Sequence, residues 1–279
     1  MFRFNFGDAA EDDNPSQGQA TGKNDTPKRL ALKHETPLLS FSPDQFVQVP
    51  IGAHTMAIVN QLHPRFLEKT GALATLLTTS DIQTGVYEGG FKLWEGAVDL
   101  IQFMIANTNE PPIRGCRVME LGCGHGLPGI YALHQGAREV VFSDYNSEVI
   151  ELATIPNVLR NAPHAKPHAT FISGDWGLMA DLLPGGSADF DLILTAETLY
   201  TESVTVDLFH TIQRYLKKRG GVALVAAKTY YFGTGGSVHH FKQLIARDGS
   251  MSAQTVWESS DGRSTVREIV RVEYKSDTL

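Results

Sequence analysis

The sequence predicts an α/β, doubly wound sheet, and three observations carry that prediction. Strand-type and helix-type segments alternate through five β/α repeats between Arg117 and Arg247. The first strand, Arg117–Leu121, runs directly into a glycine-rich turn, Gly122-Cys123-Gly124-His125-Gly126-Leu127-Pro128-Gly129, with a helix behind it. Two β-type segments, Gln254–Glu258 and Thr265–Tyr274, flank Asp261-Gly262 and read as a closing antiparallel hairpin.

Taken in order, residues 1–36 are rich in Asn, Asp, Gly, Ser, Gln, Thr and Pro without hydrophobic periodicity, which predicts a disordered tail. Its tip carries Phe2, Phe4 and Phe6, either a docked strand or a linear binding motif. Residues 37–84 hold apolar segments, Pro37 to Ile51 and Met56 to Leu77, broken at Pro64 and Gly71; they form an N-terminal extension packed on the core. The third unit is 85–279. It opens with a glycine-rich loop, Gly85 to Gly96, that must fold back on something. The spacing of Trp94, Ala97, Val98, Ile101 and Ile105 is helical and puts Trp94 at a helix start. Next come a strand over Glu139–Ser143 ending at Asp144, and a helix over Ser147–Asn161 that Pro156 interrupts. Thr170–Ser173 is a strand leading to Gly174-Asp175-Trp176. Phe190–Thr195 and Gly221–Ala227 are strands, and Val204–Lys218 and Val238–Arg247 are helices.

Bulk properties narrow the function. A net charge of −7 and a pI near 5.8 argue against holding nucleic acid by general phosphate attraction. They suit an enzyme of small molecules or of a basic macromolecule. No apolar run approaches the ~20 residues of a membrane helix. The N-terminus, with Asp8, Glu11, Asp12 and Asp13, lacks the apolar region of a targeting signal. The two cysteines, Cys116 and Cys123, flank one strand, roughly 23 Å apart at ~3.3 Å per residue and too distant to bridge. No His/Cys cluster has metal-site spacing, and His239-His240 lacks a third ligand. These features lead to the expectation of a reduced, cytoplasmic protein, also nuclear, with no structural metal.

The glycine turn asks for a cofactor. Gly124–Gly129 matches the dinucleotide pattern, with Asp144 twenty residues beyond Gly124, so a nicotinamide or flavin nucleotide is a competitor. Three residues favour S-adenosylmethionine. Glu120, just ahead of the glycines, would repel a pyrophosphate by a few kcal/mol at ~4 Å and a dielectric of ~20. The same carboxylate would help hold an α-ammonium and a sulfonium. Asp144 is placed to accept from both ribose hydroxyls. Asp175-Trp176 can hydrogen-bond the adenine amine and cover its ring. On the substrate side, the strand before Ala196 delivers Glu197 and Tyr200 to the same rim. The Asn/Asp-Pro-Pro-aromatic run of DNA-adenine methylation is missing there. Tyr230, Tyr231, Phe232 and Gly233, after the fifth strand, suit a substrate-binding lid.

Together these residues resemble the seven-β-strand protein methyltransferases with an acidic-x-x-Tyr motif, here Glu197-Thr198-Leu199-Tyr200. Gly85-Val86-Tyr87-Glu88-Gly89-Gly90-Phe91-Lys92-Leu93-Trp94-Glu95, Asp144-Tyr145-Asn146 and Tyr231–Gly236 resemble its protein-histidine methyltransferase branch. That branch is the methyltransferase-like eighteen type of animals and the histidine protein methyltransferase of fungi. The opening Phe2-Arg3-Phe4-Asn5-Phe6 is similar to its N-terminus. His125 and Pro128 depart from it, standing where members carry Ser and a small or aliphatic residue. The resemblance implies a seven-stranded, Rossmann-like class I S-adenosylmethionine methyltransferase sheet and methylation of a histidine ring nitrogen in a basic large-subunit ribosomal protein (L three) by a monomer. It also implies cofactor contacts at Lys92, Leu93, Trp94, Glu95 and Gly96, at Gly122 beside Gly124, and at Asp144, Tyr145 and Asn146. Gly174, Asp175, Trp176 and Ala196 complete that set. A protein-lysine methyltransferase of the same fold is the nearest alternative, and an NAD-dependent oxidoreductase a distant one.

A neutral imidazole nucleophile already exists near its pKa of ~6.5, whereas lysine, near ~10.4, must first lose a proton. A histidine enzyme therefore needs a holder for the ring N–H. Glu197, Tyr200, Tyr230 and Tyr231 are candidates by rim position, and Glu197 or Tyr200 is the expected catalytic group.

Overall fold

In chain order the strands are β1 (Leu32–His34), β2 (Phe46–Ile51), β3 (His54–Val59), β4 (Arg117–Leu121), β5 (Glu139–Asp144), β6 (Ala169–Ser173), β7 (Leu192–Ala196), β8 (Val222–Lys228), β9 (Met251–Glu258) and β10 (Arg267–Tyr274). The α-helices are α1 (Pro64–Thr70), α2 (Glu95–Ala106), α3 (Leu127–His134), α4 (Ser147–Val149), α5 (Ile155–Asn161), α6 (Glu202–Tyr215) and α7 (Val238–Asp248). This computed structural model describes residues 28–36, 41–70, 82, 86–108, 110–183, 189–259 and 265–276. The expectations for Phe2, Phe4, Phe6, Gly85 and Asp261-Gly262 fall outside them.

The main sheet has the order β1-β6-β5-β4-β7-β8-β10-β9. Strands β6, β5, β4, β7 and β8 are parallel; β10 joins antiparallel to β8 and carries β9 antiparallel on its other side. This is the expected doubly wound sheet with its C-terminal antiparallel pair. The parallel strands are apolar on both faces because helices cover both. Val118, Val140, Phe142 and Leu194 face a core shared with Leu100, Ile101, Leu127 and Ile130 of α2 and α3. Met119, Val141, Ile193 and Val225 face the opposite way, onto Leu208, Ile212, Phe241 and Ile245 of α6 and α7.

One boundary needs correction. Leu32–His34, inside the stretch that composition assigns to a disordered tail, forms an eighth strand antiparallel to β6, pairing Leu32 with Ser173 and His34 with Phe171. The open sheet edge supplies the backbone partners, and His34 is held between Ser173 Oγ at 2.8 Å and Glu151 Oε1 at 3.1 Å. A three-residue strand with exposed Leu32 and Lys33 leaves no hydrophobic pattern to read.

The extension contributes a second, two-stranded sheet, β2–β3, whose Met56 and Ile58 join the core. Two side chains one helical turn apart on α5 bind the free edge of β3. Asn157 Oδ1 accepts from Val59 N at 2.8 Å, and Asn161 bonds both Ala57 N (2.8 Å) and Ala57 O (2.7 Å). Pro156 does not break the helix before it. Ile150–Thr154 takes a π-helical register between α4 and α5, which absorbs the N–H that the proline lacks.

The chain lays down β4, β5 and β6 in one direction and then returns to place β7 beside β4. The crevice beyond the carboxyl ends of β4 and β7 is the topological switch point, where such sheets bind ligands.

Candidate active site

The turn after β4 is tied down by two strand-end carboxylates. Glu120 Oε2 accepts from Gly129 N at 2.8 Å, so it holds the first turn of α3. Asp144 Oδ2 accepts from Gly124 N at 2.9 Å, and its Oδ1 accepts from Asn146 N at 3.2 Å. Thr154, in the π-helical segment, donates to Gly124 O at 2.6 Å. Gly124 has φ +49°, and a Cβ there would lie 2.9 Å from Gly90 O, so the loop through Gly90 closes directly onto the turn.

His125 is buried within this turn. Its Nε2 donates to Phe91 O at 2.7 Å, and its Nδ1 accepts from Asn157 Nδ2 at 3.0 Å. Burial pushes its pKa down to about 4, so the ring is neutral. The residue that departs from the family pattern thus ties the turn to the Phe91 segment and to α5.

Beside the turn, at the switch point, lies a cavity of about 900 Å³, a size suited to a cofactor-scale ligand. Lys92, Leu93 and Trp94 line it, with the Lys92 ammonium 4.6 Å from the centre of the Trp94 ring. So do Glu120, Gly122, Gly124, Asp144 and Tyr145, the strand-tip residues Gly174, Asp175, Trp176 and Ala196, and both Glu197 and Tyr200.

Three expected cofactor residues sit behind the wall instead of in it. Asn146 is fully buried and braces the loop, accepting from Glu88 N at 3.0 Å and donating to Val86 O at 2.8 Å. Glu95 pairs with Arg267 at 3.2 Å. Gly96 packs under Glu197, where a Cβ would come 2.8 Å from Glu197 Oε1. The expected lid divides as well: Tyr231 turns inward, whereas Tyr230 and Phe232 are exposed, and none of Tyr230–Gly233 lines the cavity. Sequence reasoning missed the lining residues Glu88, Lys28, Asp207 and His210. Glu88 lies in the loop motif already singled out. Asp207 and His210 read as an ordinary polar helix face, and Lys28 as tail.

Glu197 and Tyr200 share the cavity but are not partners of each other. Tyr200 donates its hydroxyl to Glu88, and Tyr231 donates to Glu197 Oε2 at 2.5 Å while accepting from Lys228 N at 3.2 Å. Burial, aided by the neighbouring carboxylates, pushes both phenols up. Among the described residues Glu197 is the one non-glycine with positive φ, +60°. Such strain persists only where surrounding contacts impose it. Its Oε1 is buried and has no hydrogen-bond partner among the described residues, and burial raises the pKa of the carboxyl. Buried polar atoms are normally paired, so this carboxyl is held at a cost that a hydrogen-bond donor would relieve.

The lining tests the cofactor. Burial raises Glu120 well above the usual carboxylate range and Asp144 to about 6, and Glu88 and Glu197 lie in the same wall. Burial disfavours the charged form of these carboxyls; a cationic ligand would offset that cost, whereas a pyrophosphate would add to it. The residues fit S-adenosylmethionine: Asp144 would serve its ribose and Trp176 would cover its adenine. The structure does correct Glu120: its Oε2 serves the start of α3, so it braces the turn more than it offers a free acceptor.

A doubly wound sheet with this cradle and this acidic wall defines a class I S-adenosylmethionine-dependent methyltransferase. Residues 76–244 match a family model described as lysine methyltransferase, and the chain belongs to that family. It is 44% identical over 200 residues to a histidine protein methyltransferase 1 homolog from Dictyostelium discoideum. That match covers 72% of this chain and 62% of the relative, so the chain spans less than two thirds of the relative's length. It is 31% identical over 185 residues to protein N-lysine methyltransferase METTL21A of Danio rerio, covering 66% of this chain and 80% of that protein. The magnesium protoporphyrin IX methyltransferase of Synechocystis PCC 6803, solved with bound S-adenosylhomocysteine, superposes with a TM-score of 0.50 at 15% identity. It covers 76% of this chain and 97% of that one, and shares the fold.

Proposed function

We propose that this chain methylates a histidine ring nitrogen in a protein, and that the acceptor protein is a basic, large-subunit ribosomal one. The observation that carries the reading is Glu197 in the cavity wall, with one carboxyl oxygen held by Tyr231 and the other unpaired among the described residues. S-adenosylmethionine, when bound, supplies a methyl group on a sulfonium. The protein's work is mostly positioning. Tyr231 fixes Oε2 of Glu197, which leaves Oε1 to accept the N–H of a neutral imidazole. That bond selects the tautomer and turns the other nitrogen's lone pair toward the methyl group. As positive charge develops on the ring, Glu197 stabilises it and takes the ring proton. Its raised pKa makes it a better acceptor than an ordinary carboxylate.

A lysine acceptor fits this wall less well. An ammonium beside Glu197 would be held in its charged, non-nucleophilic form. The Dictyostelium relative's name supports the histidine reading, and the net charge of −7 suits a basic substrate. We assign the protein a monomeric action in the cytoplasm and nucleus. The test is incubation with labelled S-adenosylmethionine and ribosomal proteins, then mass spectrometry of the labelled residue. Label on histidine is expected; label on lysine with unlabelled histidine overturns the assignment. Calorimetry with S-adenosylhomocysteine against NAD tests the oxidoreductase alternative, with binding of the former alone expected.

A further inference from the structure

The end of the cavity assigned to the adenosine is formed by Tyr145 after β5 and by Asp175 and Trp176 after β6. The segment leading into β1 crosses this end. Arg29 touches four separate parts of the rim. Its guanidinium donates to Val86 O at 3.1 Å, sits 3.9 Å from Glu148, and lies 5.1 Å over the Tyr145 ring. Its carbonyl accepts from Asp175 N at 3.1 Å. Lys28 lines the cavity, with its ammonium 3.8 Å from Asp175 Oδ1. Leu30 O lies 2.5 Å from the point where a side chain on Gly174 would begin, so this segment and the β6 turn are in backbone contact. Downstream, β1 and His34 fix the segment to the sheet edge.

We propose that the Lys28–Ala31 segment closes the end of the cofactor site that takes the adenosine moiety, with Lys28 in its wall and Arg29 as the positioning residue behind it; the proposal rests on the cofactor reading above. The Val86–Glu88 loop, Tyr145 and Asp175 come from three distant stretches of chain. One guanidinium with its own backbone joins them before ligand arrives, which lowers the ordering that binding must impose. A lysine there would keep the cation over Tyr145 but lose the planar fork that also reaches Val86.

The test is calorimetry with S-adenosylhomocysteine on the purified full chain. Arg29→Ala raises Kd about tenfold through loss of a charged hydrogen bond and a cation–π contact, and Arg29→Lys falls between it and wild type. Lys28→Ala, at a side chain 64% exposed and so safe for folding, raises Kd less but measurably. Lys33→Ala, exposed on β1, leaves Kd unchanged. Steady-state kinetics adds a readout that a merely structural role would not move: Arg29→Ala raises KM for S-adenosylmethionine about tenfold with kcat unchanged. Wild-type Kd in both Arg29→Ala and Lys28→Ala overturns the proposal alone. A wild-type chain that binds no S-adenosylhomocysteine overturns the cofactor reading and this proposal with it.

Discussion

The two ends of the cavity are built on opposite principles. At the glycine turn, the acids are already satisfied by the chain itself: Glu120 by Gly129 N, and Asp144 by Gly124 N and Asn146 N. Beyond β7, Glu197 is strained and keeps one buried oxygen without a partner among the described residues. The first arrangement is a rigid seat, complete before ligand arrives. The second is an incomplete site, stable only because Tyr231, Gly96 and the surrounding packing hold Glu197 in place. Cofactor is expected to bind the one without rearrangement, and substrate to complete the other.

The sharpest way to break the comparison is Glu197→Ala. Turnover should fall about 10²–10⁴-fold, the range for a positioned acid–base group, with S-adenosylhomocysteine binding retained. Loss of cofactor binding together with turnover would erase the distinction between the two ends.

At the seat, stability should be acid-sensitive through His125. The unfolded chain takes up a proton below about 6.5, whereas the folded ring refuses it until about 4. Stability from this group is therefore lost as pH falls through that window, by about 3 kcal/mol at its lower end. Asp144 acts in the opposite sense, because its folded pKa of about 6 lies above the ordinary aspartate value of 3.8 and folding favours its proton there. Urea unfolding of wild type and His125→Asn between pH 7 and 4 separates the two, since only wild type carries the histidine loss.

Tyr231→Phe should lower kcat about tenfold by releasing Oε2, with KM for cofactor unchanged. An effect confined to KM for cofactor would place Tyr231 at the wrong end. The smallest effect is expected at Phe232, 86% exposed on the rim beyond the cavity. Phe232→Ala should raise KM for the protein substrate about threefold without changing kcat, as loss of apolar contact area would.

The parallel strands and their order of helices were legible because apolar runs and glycine breaks report burial directly. The cofactor end was legible for the same reason: Gly124, Asp144 and Asp175 sit at strand tips, which sequence spacing locates. Three features were not. Leu32–His34 pairs through its backbone at a sheet edge, and backbone pairing leaves no side-chain signature in so short and exposed a strand. Glu197 and Tyr200 reach the same rim as their spacing implies, yet nothing in that spacing reports the positive φ at Glu197 or their separate partners, Tyr231 and Glu88. Asn146, Glu95 and Gly96 lie in motifs that border the cavity, and spacing alone does not tell a wall from the brace behind it.

The central claim is that Oε1 of Glu197 receives the ring N–H of a substrate histidine. Its most direct test is ¹⁵N NMR of a peptide carrying the methylated site, ring-labelled at that histidine, bound to the chain with S-adenosylhomocysteine. The account predicts a neutral ring in a single tautomer, with a strongly hydrogen-bonded N–H that is lost on the Glu197→Ala chain. An imidazolium protonated on both nitrogens, or the same spectrum on wild type and Glu197→Ala, would contradict it.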